Sequence, residues 1–223
     1  MKKEWCIPTL SPEFVYRMED VLDLYAEPFD PCRPWVCFDE RPCQLVGDVL
    51  EPLPTKPGKP KRIDHEYERK GTCNLFMLVQ PQVGWRHAEV TERRTAIDFA
   101  HQMKALVDEH FPEAEVVRVV LDNLNTHGGG SLYEAFPPEE ARRIVRRLEF
   151  HYTPKHGSWL NMAEIELSVL GRQCLDRRIP DTATLKQEVA AWEAERNARR
   201  ATITWRFTTT DARTKLSKLY NLS

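Results

Sequence analysis

Val116 to His127 reads VVRVVLDNLNTH, an apolar strand that runs straight into an acid. Its β-branched run suits a strand buried in a sheet. A carboxylate left alone at the end of such a strand is costly, so Asp122 must be met by hydrogen bonds or by a cation. Asn123, Asn125 and His127 follow closely and concentrate polar groups at the strand's end.

On the N-terminal side, RTAIDFAHQMKALVDEHF is the clearest amphipathic helix, with Ile97, Ala100, Met103, Ala105, Leu106 and Val107 on its apolar side. Before it lie three strand-like runs, HEYERKG, TCNLFMLVQPQ and GWRHAEV, parted by Gly71 and by a turn over Pro81 to Gly84. PWVCFDERPCQLVG is an earlier strand leading to Asp39, and the Pro-rich, basic DVLEPLPTKPGKPKRID after it has the pattern of an exposed loop. SPEFVYRMEDVLDLYAEP reads as a helix, with Ser11 at the N-cap and Pro12 at the first helical position.

On the C-terminal side, SLYEAFPPEEARRIVRRL is expected to turn helical after Pro138, and EFHYTP to form a short strand. SWLNMAEIELSVLGRQCL is a helix, TATLKQEVAAWEAERNARRA another capped by Asp181 or Thr182, and TTDARTKLSKLY a last short one. The order predicts an α/β fold in one domain, a mixed sheet with helices on both faces.

In that fold Asp39 and Asp122 each end an apolar strand, where open α/β sheets place their ligands. Helical periodicity puts Leu160, Ala163, Leu167 and Cys174 on a core stripe, with Glu164 at its edge in line with the small Ser168 and Gly171. Glu166 points well away from Glu164 and is expected to be dispensable. Three carboxylates make an oxygen-only site, the donor set that Mg2+ and Mn2+ prefer. Two such ions can activate a hydroxyl and stabilise a leaving oxygen in phosphoryl transfer, and would neutralise Asp122. Each acid also has a local reading: Asp39 pairing with Arg41, Asp122 serving the turn-rich DNLN, Glu164 closing a capping box with Asn161.

With 41% hydrophobic and 30% charged residues, the 223-residue chain has the composition of a soluble globular protein. It shows no apolar run long enough to span a bilayer and no signal-peptide core, so a cytoplasmic protein with no membrane partner is expected. Six cysteines form neither a CxxC pair nor a zinc set and are read as reduced thiols. The net charge of −2 does not announce a nucleic-acid binder. Phosphate contacts depend on local charge, however, and Lys56, Lys59, Lys61 and Arg62 with Arg196, Arg199 and Arg200 are the expected DNA contacts.

CFDERP, LDNLNTH and HYTPKHGSWLNMAEIELSVLGRQCL together resemble the catalytic domain of DDE transposases, in particular the bacterial insertion-sequence branch of the mariner-like superfamily. HGSWLNMAEIE is similar to that family's Ser-Pro-x-Leu-Asn-Pro-x-Glu box, which sets Asn161 on its asparagine and Glu164 on its glutamate. The resemblance runs from about Trp35 to Tyr220.

The resemblance implies a ribonuclease H-like fold, a mixed five-stranded sheet with helices on both faces. It implies two Mg2+ ions, with Mn2+ as substitute, held by Asp39, Asp122 and Glu164, with Asn123, His127 and Asn161 in support. The activity implied is hydrolysis at transposon terminal inverted repeats, then attack of the freed 3′-hydroxyls on target DNA. The partner is DNA, the active form a homodimer, and the place the bacterial nucleoid. Residues 1–30 then read as a helical lead-in, the remnant of a linker to an absent N-terminal DNA-binding region, and 31–223 as the catalytic domain. Two rivals remain: a catalytically unused truncated transposase that regulates by dimerisation, and a cellular ribonuclease H-like nuclease.

Overall fold

Side chains along β1 (Trp35–Asp48) alternate between two cores: Trp35 and Cys37 enter one, Val36 and Phe38 the other. The computed structural model describes residues 11–60, 62 and 64–220. β1 pairs antiparallel with β2 (Tyr67–Gln80), and β2 antiparallel with β3 (Trp85–Thr91). β4 (Val117–Leu121) and β5 (Leu148–Tyr152) join in parallel on the other side, giving a five-stranded mixed sheet of order β3-β2-β1-β4-β5.

The first core is closed by α1 (Pro12–Ala26), α5 (Met162–Gln173), α6 (Thr182–Ala198) and α7 (Thr209–Lys215), and the short α8 (Ser217–Tyr220) is the last helix among the described residues. The second core is closed by α2 (Ala96–Ala105), which runs on as a wider π-helical turn over Leu106–His110, and by α3 (Gly129–Ala135) and α4 (Pro138–Val145). The expected α/β fold with helices on both faces is the one adopted. β4 is buried along its whole length because helices cover it on both sides.

Ser11 caps α1, its hydroxyl accepting from Phe14 N at 3.2 Å, with Pro12 at the first helical position. Asp181 caps α6, accepting from Thr184 N at 2.8 Å. α1, expected as a lead-in apart from the catalytic domain, buries Phe14, Met18, Val21, Leu22 and Leu24 in the same core as the sheet. Tyr25 Oη donates to the carbonyl of Leu160 at 2.7 Å, which fastens the end of α1 to the segment leading into α5.

Four local expectations are corrected. HEYERKG and TCNLFMLVQ are not two strands: β2 passes through Gly71, whose φ of 121° accommodates a bulge opposite Leu45 and Val46. The Pro-rich loop carries a small hairpin, with Leu53 bridged to Arg62 and Lys56 to Lys59 around Pro57 and Gly58. The φ of 73° at Gly58 suits a turn that Pro57 starts. α3, hidden by its triple glycine, precedes Pro138. Ser158–Leu160 forms a 3-10 turn, so α5 starts only at Met162. Among the described residues no helix is long and apolar enough to cross a membrane. The five described cysteines are free thiols, and Cys6 lies outside the described residues.

Candidate active site

β1 outlasts β4. Its parallel pairing ends at Cys37 with Val120, while β1 itself continues along β2 to Asp48. Asp39 is therefore not at the end of its strand, as the sequence suggested, but at the point where β4 stops. Counting two residues past the last pair, Cys37 with Val120, brings the chain to Asp39 on one strand and Asp122 on the other, where the two part.

α5 brings the third acid. Asn161 caps the helix, its Oδ1 accepting from Ala163 N at 3.0 Å, and its Nδ2 donates to the buried carbonyl of Phe38 at 2.8 Å. One side chain thus ties the first turn of α5, where Glu164 sits, to the residue before Asp39. Glu164 is exposed at the helix edge, and its carboxylate closes no capping box.

The charges of these groups reach one another. Burial pushes the Asp39 carboxyl up to about 7, and the nearby negative charges of Glu164, Asp122 and Glu40 push in the same direction. The hydrogen bond from Glu40 N to Asp39 Oδ1, 2.8 Å, offsets only part of this. Asp39 does not pair with Arg41, whose guanidinium lies against the Cα of Gly171 on α5, so closely that a Cβ there would come within 2.9 Å of it. The small residue leaves room for the arginine.

Asp122 is met by His127 rather than left for a metal alone. His127 Nδ1 lies 2.5 Å from Asp122 Oδ1, and Nε2 lies 2.8 Å from Glu40 Oε2. Burial works against the imidazolium, yet the bonds to Asp122 and Glu40 outweigh it and lift its pKa to about 9. Phe99 stacks on the ring at 4.9 Å and Phe38 meets it edge-on at 5.3 Å. Asp39 and Glu40, adjacent on β1, point to opposite faces. One goes to the acids and the other to this histidine. Glu40 is 5% exposed, and sequence reasoning missed it although an Asp-Glu pair on a strand must split in this way.

Glu166 is the larger correction. It is fully buried, with Oε1 2.9 Å from Arg86 Nε and 2.6 Å from Arg196 Nε, and Oε2 3.1 Å from Arg196 Nη2. Arg86 on β3 is equally buried. Glu166 therefore ties α5 to β3 and α6, a structural part that its spacing from Glu164 did not suggest. Arg196, expected as a DNA contact, is turned inward to serve it. Of the other basic residues, Lys56, Lys59 and Arg62 are exposed on the β1–β2 hairpin, and Lys61 lies outside the described residues. Arg199 and Arg200 are exposed at the end of α6, Arg199 paired with Glu195. Asn123 lines an open cleft beside Asp122.

Among the described residues no three His, Cys, Asp or Glu side chains stand ready-gathered around a metal position. The chemistry of the donors nevertheless fits a hard divalent cation. Asp39, Asp122 and Glu164 offer only oxygen, and a cation would offset both the burial of the Asp39 charge and its repulsion by the neighbouring acids, which together raise that carboxyl to about 7.

A mixed sheet of this order, with acids where the central parallel strands part and on the helix beside them, is a ribonuclease H-like framework. The model of the DDE superfamily endonuclease family matches residues 34–186, and the chain belongs to that family. No curated protein matches the sequence. The fold is similar to that of the Mos1 transposase paired-end complex with left transposon end, at TM-score 0.58 and 16% identity over 90% of this chain and 62% of the other. It is likewise similar to the Mos1 strand transfer complex (TM-score 0.59, 14% identity, 90% and 61% covered) and to the Mos1 paired end complex with Mg (0.55, 16%, 90% and 63%). The chain thus spans less than two thirds of the length of the transposase it matches.

Proposed function

We propose that this chain is the catalytic domain of a DNA transposase of the mariner-like superfamily, in its bacterial insertion-sequence branch. It cuts phosphodiester bonds at transposon ends and joins the freed 3′-hydroxyls to target DNA. The reading is supported by the closeness of Asp39 on β1 to Asp122 just past β4 and Glu164 on α5, whose charges both help to raise the Asp39 carboxyl, in a chain belonging to the DDE superfamily endonucleases. The similar structures are complexes of a transposase with transposon ends, one with Mn and one with Mg, which supports DNA and a divalent metal as partners.

Asp39, Asp122 and Glu164 would hold two Mg2+ ions, or Mn2+ in their place. When bound, the ions supply the positive charge that activates a water or hydroxyl and steadies the leaving oxygen. Asn161 sets Glu164 against β1, and His127 with Glu40 fixes Asp122 from the opposite face. None of the acids forms a covalent bond to DNA; they position and neutralise. The exposed cations of the β1–β2 hairpin and of the end of α6 hold the backbone, and the active form is a homodimer.

The test is nicking of a supercoiled plasmid by the purified chain. The reading expects nicking in Mg2+ or Mn2+, none in EDTA, and none from Asp122→Asn at unchanged fold. Equal nicking by Asp122→Asn, or nicking that survives EDTA, rules it out.

A further inference from the structure

Arg41 follows Asp39 by two residues on β1, so its side chain leaves the sheet on the same face, about 7 Å further along the strand. α5 covers that face, and the Arg41 guanidinium lies over Gly171, where a Cβ would come within 2.9 Å of Nη1. Glu164 belongs to the same helix, two turns before Gly171 and on nearly the same side. Arg41 thus sits in the seam between the strand that carries one acid and the helix that carries another.

Its charge is not spent there. The other cations that reach this region are engaged: His127 bonds Asp122 and Glu40, and Arg94 lies 3.4 Å from Glu40. Arg41 is exposed and enters no ion pair or hydrogen bond among the described residues, although acids short of a counter-charge stand beside it. An exposed arginine is usually left to water, but this one is seated on a helix and held short of the acids. The seat is the single glycine of α5, a residue that weakens a helix interior and here serves no turn. A guanidinium fixed in this way offers its fork of donors to an anion that arrives from outside, and the planar fork matches phosphate oxygens.

We propose that Arg41 is a positioning residue for the cutting reaction. Its guanidinium takes the non-bridging oxygens of the phosphate next to the one the acids address, and Gly171 is the seat that keeps it clear of those acids. The proposal rests on the reading of the acids as a DNA-cutting site. It adds that the bound strand leaves the acids along the seam of β1 and α5.

Duplex binding in EDTA, where nothing is cut, gives the first test, with fluorescence anisotropy followed against salt. Each phosphate contact adds about 0.9 to the steepness of log K against log salt, so Arg41→Gln should lower it by about one. Arg142→Gln makes the same charge change on α4, across the sheet, and should leave the slope as in the wild type. In Mg2+, Arg41→Gln should nick plasmid about tenfold or more slowly, with melting temperature and Mn2+ affinity unchanged, and Arg41→Lys should recover part of the loss. Gly171→Ala should melt no lower than the wild type and yet nick more slowly, because its methyl group displaces the guanidinium. In the Arg41→Gln background it should cost nothing further.

No binding by the wild type, a slope for Arg41→Gln equal to that for Arg142→Gln, or a Gly171→Ala loss that persists in full without Arg41 overturns the proposal. If the wild type does not nick in Mg2+, the reading of the acids fails and the salt slope alone decides on Arg41. If the wild type nicks and Arg41→Gln nicks equally fast, only the Arg41 proposal fails.

Discussion

Asn161 Nδ2 donates to the carbonyl of Phe38 at 2.8 Å, so the cap of one helix is anchored to the strand residue that precedes Asp39. The bond is buried and local geometry alone does not require it. Its consequence is that Glu164 cannot drift from Asp39 without breaking a cap and a buried hydrogen bond together.

Asn161→Ala is therefore expected to cost about 1–2 kcal/mol of stability from the lost cap, and more than proportionate activity. Asp181→Ala removes a comparable cap from α6, away from the acids. Assayed below both melting temperatures, the first variant should nick DNA far more slowly than the second. Equal activities would mean that the tie to Phe38 positions nothing.

Glu166→Gln should destabilise the chain strongly. A buried ion pair broken from one side leaves its partner uncompensated, at a cost of roughly 3–5 kcal/mol, and here two arginines converge on the same carboxylate. Glu164→Gln removes an exposed charge and should leave the urea midpoint nearly unchanged. Urea unfolding of the two variants side by side checks this, and a reversed order would contradict the placement of the helix faces.

These two glutamates also mark the limit of what the sequence shows. The strand-end position of Asp122 and the helix-edge position of Glu164 follow from periodicity and were legible. The role of Glu166 was not, because Arg86 and Arg196 are far from it in sequence and a charged residue alone reads as solvent-facing. Asp39 was legible as an acid on a buried strand. That β1 runs on past it depends on pairing with β2, which no local pattern reveals. The continuity of β2 through Gly71 and the helix after Gly128 were missed for one reason: glycine normally punctuates, and here tertiary packing overrides it.

Asp39→Asn should raise the melting temperature of the metal-free chain at pH 8. Folding lifts this carboxyl from its ordinary value to about 7, so the folded state binds more protons and loses stability as pH rises from about 4 through 7. The amide brings no charge to be buried, and none for Glu164, Asp122 and Glu40 to repel. The gain should shrink at pH 5 and vanish when Mg2+ is present. Thermal scans at the two pH values in EDTA would contradict this if the variant were less stable at both.

The ion network between α2 and α4 gives the opposite pH dependence. The bond from Arg143, helped by Lys104, holds the Asp108 carboxyl down at about 2. A depressed acid contributes stability above its unfolded value near 4, and that contribution is lost as pH falls from there through 2. Arg143→Gln should be less stable than wild type at pH 6, by no more than about 1 kcal/mol for so exposed a pair, and equal to it near pH 2. A gap that stays constant with pH would show that the network does not act through Asp108.

Mn2+ titration of the purified chain followed by calorimetry tests the central claim, that Asp39, Asp122 and Glu164 form one metal-holding site. The wild type should show saturable binding that each of Asp39→Asn, Asp122→Asn and Glu164→Gln weakens by about tenfold or more. Asp181→Ala should leave it untouched. Wild-type binding that persists in Glu164→Gln, or no binding by the wild type at all, would contradict the account.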